Sequence, residues 1–184
     1  MNRIKELSYP RIKHIIATTP DPRTKAMIAT QYGLAARAGE LVSYTHTDDS
    51  ESPGLLKANI VKQKGVYVCN IPNFKNVKKI FKKPYISPKE EFLFKPFKDW
   101  LKDCGDQVFP LRVSRYRKLV ADALPEGFAS HSLRHSRATH LAEIFGFNAY
   151  QIQAFLGHAR LDTSAIYVAA DLTRSSKLLE AGLE

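Results

Sequence analysis

Apolar positions along the chain recur mostly at helical spacing. Asp21-Pro22 reads as an N-cap with proline at the first helical position, so a helix is expected over Arg23–Tyr32, ended by Gly33. A second short helix is expected over Arg37–Tyr44, and the polar, acidic run Thr45–Gly54 reads as a loop. Three strand-like runs follow, Leu55–Lys62, Val66–Ile71 and about Ile80–Ile86. Lys64-Gly65 is placed as a hairpin turn, and Asn73–Lys79 as a lysine-rich connection. Ser87-Pro88-Lys89-Glu90 combines a capping box with an early proline, which starts a helix running to about Cys104. Further helices are expected over Val113–Leu124, Ser132–Phe145, Asn148–Leu156, Asp162–Ala169 and Leu172–Ala181. Strands and helices do not alternate as βαβ units, so a doubly wound sheet is excluded. The expected class is α+β, mostly helical with one small three-stranded antiparallel sheet.

Composition narrows the function class. The chain of 184 residues is 44% hydrophobic and 25% charged, in the range of globular domains and outside that of disordered, collagenous or coiled-coil chains. No run approaches the length of a membrane span, and the opening MNRIKELSYPRIKH lacks the apolar stretch of a secretory signal. Cys69 and Cys104 form neither a metal spacing nor a disulfide framework, which points to a reducing compartment. The net charge is +10, and residues 70–102 concentrate nine lysines against three acids. Such a surface suits a polyanion, because each phosphate neutralised releases condensed counterions.

The chemistry gathers in His131–Tyr167. His131 and Arg134 stand one helical turn apart at the start of a basic helix, a setting that favours an anion. Leu156-Gly157-His158 puts another histidine just past a helix end, and Tyr167 follows nine residues later. Arginine contacts phosphate through a planar, permanently charged fork, histidine moves protons, and a tyrosine hydroxyl can be a covalent nucleophile. His131 and His135 lack the glutamate of a zinc-protease helix, so no metal is assigned.

Together these residues resemble the tyrosine recombinase (phage integrase) superfamily. That family carries H-x-L-R-H-S-x-A-T-H-L, then L-G-H, then a nucleophilic tyrosine nine residues after that histidine. The matches here are His131, Leu133, Arg134, His135, Ser136, Ala138, Thr139, His140 and Leu141, continued by Leu156, Gly157, His158, Thr163 and Tyr167. The upstream arginine of the family lies in a G-x-R-x-x-E-L setting. Gly33–Leu41 is similar to it in Arg37, Glu40 and Leu41, with a longer interval from Gly33 to Arg37 than the commonest form.

The resemblance implies a tyrosine-recombinase-like catalytic domain over 1–184, with residues 1–20 a lead-in and the N-terminal core-binding domain of the family absent. It implies cofactor-free cutting and rejoining of double-stranded DNA through a 3′-phosphotyrosyl link at Tyr167. Arg37 and Arg134 would hold the phosphate, His158 would donate to it, and His131 would assist deprotonation of Tyr167. Glu40 would orient these groups. The leaving-group acid would be Lys75 on the lysine-rich hairpin, with Lys78 and Lys79 close competitors and Lys64, in the preceding turn, a more distant candidate. Lys78, Lys79, Lys82, Lys83 and Arg137 are expected to contact DNA. Other copies of the chain are expected as partners on DNA, possibly four in a synapse, with a monomer in free solution. The expected location is the cytoplasm of a prokaryotic cell, at the nucleoid. The alternatives are DNA relaxation of the type IB topoisomerase kind, a catalytically idle DNA-binding accessory protein, and, more distantly, another phosphodiesterase.

Overall fold

The computed structural model describes residues 6–45, 51–72, 81–158 and 163–164. Chain order begins with helices α1 (Tyr9–Thr18), α2 (Pro22–Gly33) and α3 (Ala38–Leu41). Short strands β1 (Tyr44–Thr45) and β2 (Glu51–Ser52) pair with each other. Then come β3 (Ile60–Gln63), β4 (Val66–Cys69), β5 (Ile71–Pro72), β6 (Phe81–Lys82) and β7 (Tyr85–Ile86). Helices α4 (Glu91–Asp103), α5 (Val113–Asp122), α6 (Ser130–Glu143) and α7 (Ala149–Leu156) complete the described elements. The class is the expected one, mostly helical with small antiparallel sheets.

Helix α2 is the centre of the core. Asp21 caps it, its carboxylate accepting from the Thr24 backbone N–H at 2.8 Å, and Pro22 opens its first turn. Its side chains Ala26, Met27, Ile28, Ala29 and Tyr32 are fully buried, packed among α1, α4, α5 and α6. Helix α1 lies in the stretch expected as a lead-in. Its Ile12, Ile15 and Ile16 are buried in the same core, so residues 9–18 belong to the domain.

The three strand-like runs of the sequence become one interrupted antiparallel ribbon. β3 pairs with β4 through the Lys64-Gly65 turn, where both residues have positive φ, the geometry of a tight hairpin. β4 pairs with β7 through Tyr67↔Ile86 and Val68↔Tyr85, and β5 with β6 through Ile71↔Lys82 and Pro72↔Phe81. The register is the same in both pairs. The ladder breaks between them at Pro84, which has no N–H to donate. Alternation along this last strand puts Lys82, Pro84 and Ile86 inside, with Lys83 and Tyr85 outside.

Two local departures from expectation have simple causes. The second helix is only the single turn α3, because the chain leaves Val42 extended to bring Gly54 against its backbone. A Cβ on Gly54 would meet the Val42 backbone nitrogen at 2.5 Å. Helix α4 starts at Glu91 rather than at Ser87, since the Glu90 carboxylate is turned to Arg137. The Asn73–Lys79 connection and the helices expected over Asp162–Ala169 and Leu172–Ala181 lie outside the described residues, apart from Thr163 and Ser164, which are helical. Among the described residues no helix is long and apolar enough to cross a membrane.

Candidate active site

Three chain segments meet at one charged cluster. The first is the exit of α2. Ala35 sits there in the left-handed region, φ +47°, fully buried, and Arg37 follows two residues later as the residue before α3. A side chain at positive φ costs about 1–2 kcal/mol relative to the usual region. Hydrogen bonds from the Ala35 and Ala36 N–H groups to Tyr32 and Gln31 carbonyls, each 3.0 Å, hold the turn. The glycine of the G-x-R pattern therefore corresponds to Ala35, and Gly33 is the last residue of α2, packed on Ile86. This accounts for the long interval between Gly33 and Arg37.

Glu40 closes this turn and organises the site. Its Oε2 accepts from the Arg37 backbone N–H at 2.7 Å, and its Oε1 pairs with Arg37 Nη1 at 3.0 Å. Lys82 Nζ lies 2.6 Å from Oε2, and Arg134 Nη1 lies 3.9 Å from the same oxygen. Burial alone would push the Glu40 carboxyl up, but Lys82, Arg134 and Arg37 together hold it below the ordinary carboxylate value. One carboxylate thus faces three cations, and the cluster keeps an excess of positive charge for an anion.

Helix α6 brings Arg134, buried on the side facing α2 and α7. Nη1 donates to the Ala35 carbonyl at 2.6 Å, and Nη2 donates to the Leu156 carbonyl at 3.1 Å. The third segment is the end of α7. Asn148 caps that helix, accepting from the Gln151 N–H at 2.9 Å, and Gly157 ends it in the left-handed conformation, φ +70°. His158 follows, with Nδ1 2.9 Å from the hydroxyl of buried Ser164. When that hydroxyl donates to Nδ1, the neutral ring carries its proton on Nε2.

His131 stands at the start of α6, its ring edge-on to that of His135 with centroids 4.4 Å apart. It borders a cleft of about 510 Å³ shared with Arg37, Glu40, Tyr44, Arg117 and Ser130. Desolvation first, then the charges of His135, Arg134 and Arg37, lower its pKa to about 4. His158 is lowered to about 4 in the same way, by desolvation, Arg134, Arg37 and Lys82. Both rings are uncharged at neutral pH, able to donate from one nitrogen and accept at the other.

Arg37, Glu40, His131, Arg134 and His158 are thus brought together. Lys83 is exposed, as a DNA-contacting lysine requires. Two of the cations expected on the DNA surface are elsewhere. Lys82 is buried in the cluster, because period-two alternation turns it inward with Ile86. Arg137 is buried as well, its two Nη groups each 2.6 Å from a Glu90 oxygen and its guanidinium between the rings of Tyr32 and Phe145. The fork is committed to Glu90 and is not available to a phosphate. Lys75, Lys78, Lys79 and Tyr167 lie outside the described residues. Sequence reasoning missed the inward role of Lys82, whose signal was the alternation, and the Ser164 partner of His158, for which a single sequence holds no signal.

Comparison with known proteins agrees with this geometry. A family model described as the phage integrase family matches residues 2–174. Tyrosine recombinase XerC of Nitrobacter winogradskyi is 30% identical over 162 residues, covering 83% of this chain and 47% of that protein. Tyrosine recombinase XerD of Corynebacterium glutamicum is 32% identical over 166 residues, covering 86% of this chain and 53% of its own length. The chain spans about half the length of the curated relatives it matches. Among solved structures, the XerH site-specific recombinase in a post-cleavage complex with its difH substrate superposes with a TM-score of 0.73 at 20% identity, over 100% of this chain and 55% of that one. XerA recombinase gives 0.69 at 22% identity, over 89% and 60%. The sequence motifs, the fold and the arginine cluster agree on one lineage: the chain belongs to the phage integrase family.

Proposed function

We propose that this chain is the catalytic domain of a site-specific DNA recombinase that cuts and rejoins double-stranded DNA through a 3′-phosphotyrosyl link at Tyr167. The observation that carries the reading is the pair of guanidiniums, Arg37 and Arg134, gathered around the single carboxylate of Glu40 with His131 and His158 beside them. The relatives' names favour recombination over DNA relaxation or an idle accessory role.

In this mechanism Arg37 and Arg134 bind the nonbridging oxygens of the scissile phosphate and stabilise the charge that builds up as the tyrosine attacks. They are preorganised: Glu40 holds Arg37, while backbone carbonyls hold Arg134. His158 donates from Nε2 to the same phosphate. His131 accepts the proton of Tyr167. Its low pKa in free protein keeps it unprotonated, and the incoming phosphate charge raises its basicity when the proton must be taken. Tyr167 enters by its spacing, nine residues after His158. The leaving 5′-oxygen takes its proton from the lysine-rich hairpin, with Lys75 the first choice and Lys78 and Lys79 next. No cofactor is required, because the arginines supply the positive charge that a metal ion supplies in other phosphoryl transfers.

Partners in this reading are DNA and further copies of the chain assembled on it, as in the neighbours solved with DNA, one of them a lambda integrase dimer on a core site. The protein works at the nucleoid in the cytoplasm. The test is a comparison of Arg37→Ala and Arg134→Ala with wild type. Each variant loses strand cleavage by orders of magnitude and keeps most of its DNA affinity, which the many other basic groups supply. Normal cleavage by either variant would sink the assignment.

A further inference from the structure

Among the described residues, Lys82 is the one cation facing Glu40 that the mechanism above does not use. Its side chain is 1% exposed. It stands on β6, on the strand that follows Lys75, Lys78 and Lys79 in the chain. Its ammonium is 2.6 Å from Glu40 Oε2 and 3.4 Å from the carbonyl oxygen of Leu156. That carbonyl is also the acceptor of Arg134 Nη2, and it lies two residues before His158. One side chain therefore ties the β-ribbon to α3 and to the end of α7, the elements that present Arg37 and His158.

Burying an ammonium is costly, and an apolar residue would fill the inward position at less expense. The geometry shows what the charge does there. Glu40 Oε2 is attractive to two cations, Lys82 at 2.6 Å and Arg134 at 3.9 Å. With the ammonium on that oxygen, Arg134 stays at the longer distance and spends its donors on Ala35 and Leu156. Without it, the carboxylate would draw the Arg134 guanidinium toward itself and off both carbonyls.

We propose that Lys82 is a positioning residue of the phosphate-binding cluster, which neutralises Glu40 and thereby keeps the Arg134 guanidinium and the Leu156–His158 turn in the arrangement that receives the scissile phosphate. The proposal rests on the recombinase reading above. Lys82 is not the leaving-group acid in this arrangement, because its ammonium is enclosed and directed at Glu40 and Leu156. Its pKa, lowered to about 8 by burial against the opposing pull of Glu40, leaves it mostly charged at neutral pH, as the role requires.

The test uses the full chain carrying Lys82→Met, which keeps an unbranched side chain one atom shorter and removes its charge. Single-turnover cleavage of nicked duplex at saturating DNA falls about a hundredfold, the order expected when a reacting group is displaced by an ångström. DNA affinity, read by fluorescence anisotropy, stays within about threefold, since the surface cations supply it. The loss is the same on a 5′-bridging phosphorothiolate, whose leaving sulfur needs no proton, and Glu40→Gln combined with Lys82→Met is no slower than the slower single variant. A folded Lys82→Met protein that cleaves within about threefold of wild type overturns the proposal, as does rescue by the phosphorothiolate, which would make Lys82 the acid itself. A measurement free of catalysis accompanies this. In wild-type protein the side-chain NMR signals of Arg134 are those of a guanidinium held by slow-exchanging hydrogen bonds, and in Lys82→Met, or in Lys82→Gln should the first variant not fold, they shift and broaden. Unchanged Arg134 signals overturn the proposal. Arg134 signals that change as expected in the variant, together with a wild-type protein that never cleaves, would instead remove the recombinase reading.

Discussion

The carbonyl oxygen of Leu156 accepts a hydrogen bond from Arg134 at 3.1 Å, so the second arginine of the site is bonded to the turn that carries His158. The same guanidinium reaches the Ala35 carbonyl at 2.6 Å, at the turn that presents Arg37. A planar fork can span both carbonyls at once, and an ammonium cannot. Arg134→Lys is therefore expected to lower strand cleavage by about a hundredfold or more while leaving the charge unchanged. Cleavage of a nicked duplex by the purified variant measures this. Near-normal cleavage would mean that only the charge at position 134 matters.

Glu40 is almost completely enclosed and faces Arg37, Lys82 and Arg134. Replacing it with glutamine leaves these cations without their counter-charge. Removing one partner of a buried pair costs about 3 kcal/mol or more. Glu40→Gln is expected to lower the urea midpoint of unfolding by a corresponding amount, and a midpoint equal to wild type would show the cluster to be solvated.

Stability should depend on pH through the histidines. His140 is buried, with the Tyr32 hydroxyl 2.7 Å from Nδ1, and desolvation, then Arg137, lowers its pKa from 6.5 to about 4. His131 and His158 are lowered to about 4 as well. As pH falls below 6.5 the unfolded chain takes up protons that the folded chain does not, so their contribution is complete above that pH and is lost progressively toward pH 4. Through buried His140 alone, urea unfolding at pH 7.5 and pH 5 should differ by on the order of 2 kcal/mol, with the lower pH less stable. A flat profile across this window would contradict the buried, neutral state of the His140 ring.

Arg137 and Lys83 should separate stability from DNA binding. Arg137 is enclosed and paired through two 2.6 Å contacts with Glu90, whereas Lys83 is exposed at the ribbon. Arg137→Ala is expected to cost about 3 kcal/mol of stability and to leave DNA affinity unchanged at a temperature where the variant is folded. Lys83→Ala is expected to leave stability unchanged and to lower the slope of log affinity against log salt by about 1. The reverse outcome would put Arg137 at the DNA after all.

The contrast between these two residues shows what a sequence conveys here. Arg134 and Arg137 sit three residues apart on one helix, and only packing decides that the first enters the phosphate cluster and the second meets Glu90 from another chain segment. Lys82 is legible in part as an inward residue. It alternates with Ile86 on the inward side of a strand, but a lysine among lysines reads as surface. Ala35 hid the turn before Arg37, since a left-handed residue is expected to be glycine and Gly33 stood nearby. Helix α1 carries its own signal, an opening Pro10 and the apolar stripe of Ile12, Ile15 and Ile16. The N-caps Asp21 and Asn148 and the Lys64-Gly65 hairpin were readable, because each rests on interactions within a few residues. Local spacing joins Arg37 to Glu40 and His131 to Arg134, but the approach of these pairs to each other and to His158 was expected only by resemblance, for nothing local in the chain brings the three segments together.

The central claim is that Tyr167 becomes covalently joined to DNA at the cluster formed by Arg37 and Arg134. It is tested most directly by incubating the protein with a pool of nicked duplexes of randomised sequence, in which the nick lets a short fragment diffuse away and traps the covalent intermediate. The account predicts a denaturation-resistant protein–DNA adduct, mapped by mass spectrometry of the digested protein to Tyr167 and lost in Tyr167→Phe. Failure of the wild-type protein to form any adduct across the pool, or an adduct that persists in Tyr167→Phe, would contradict it.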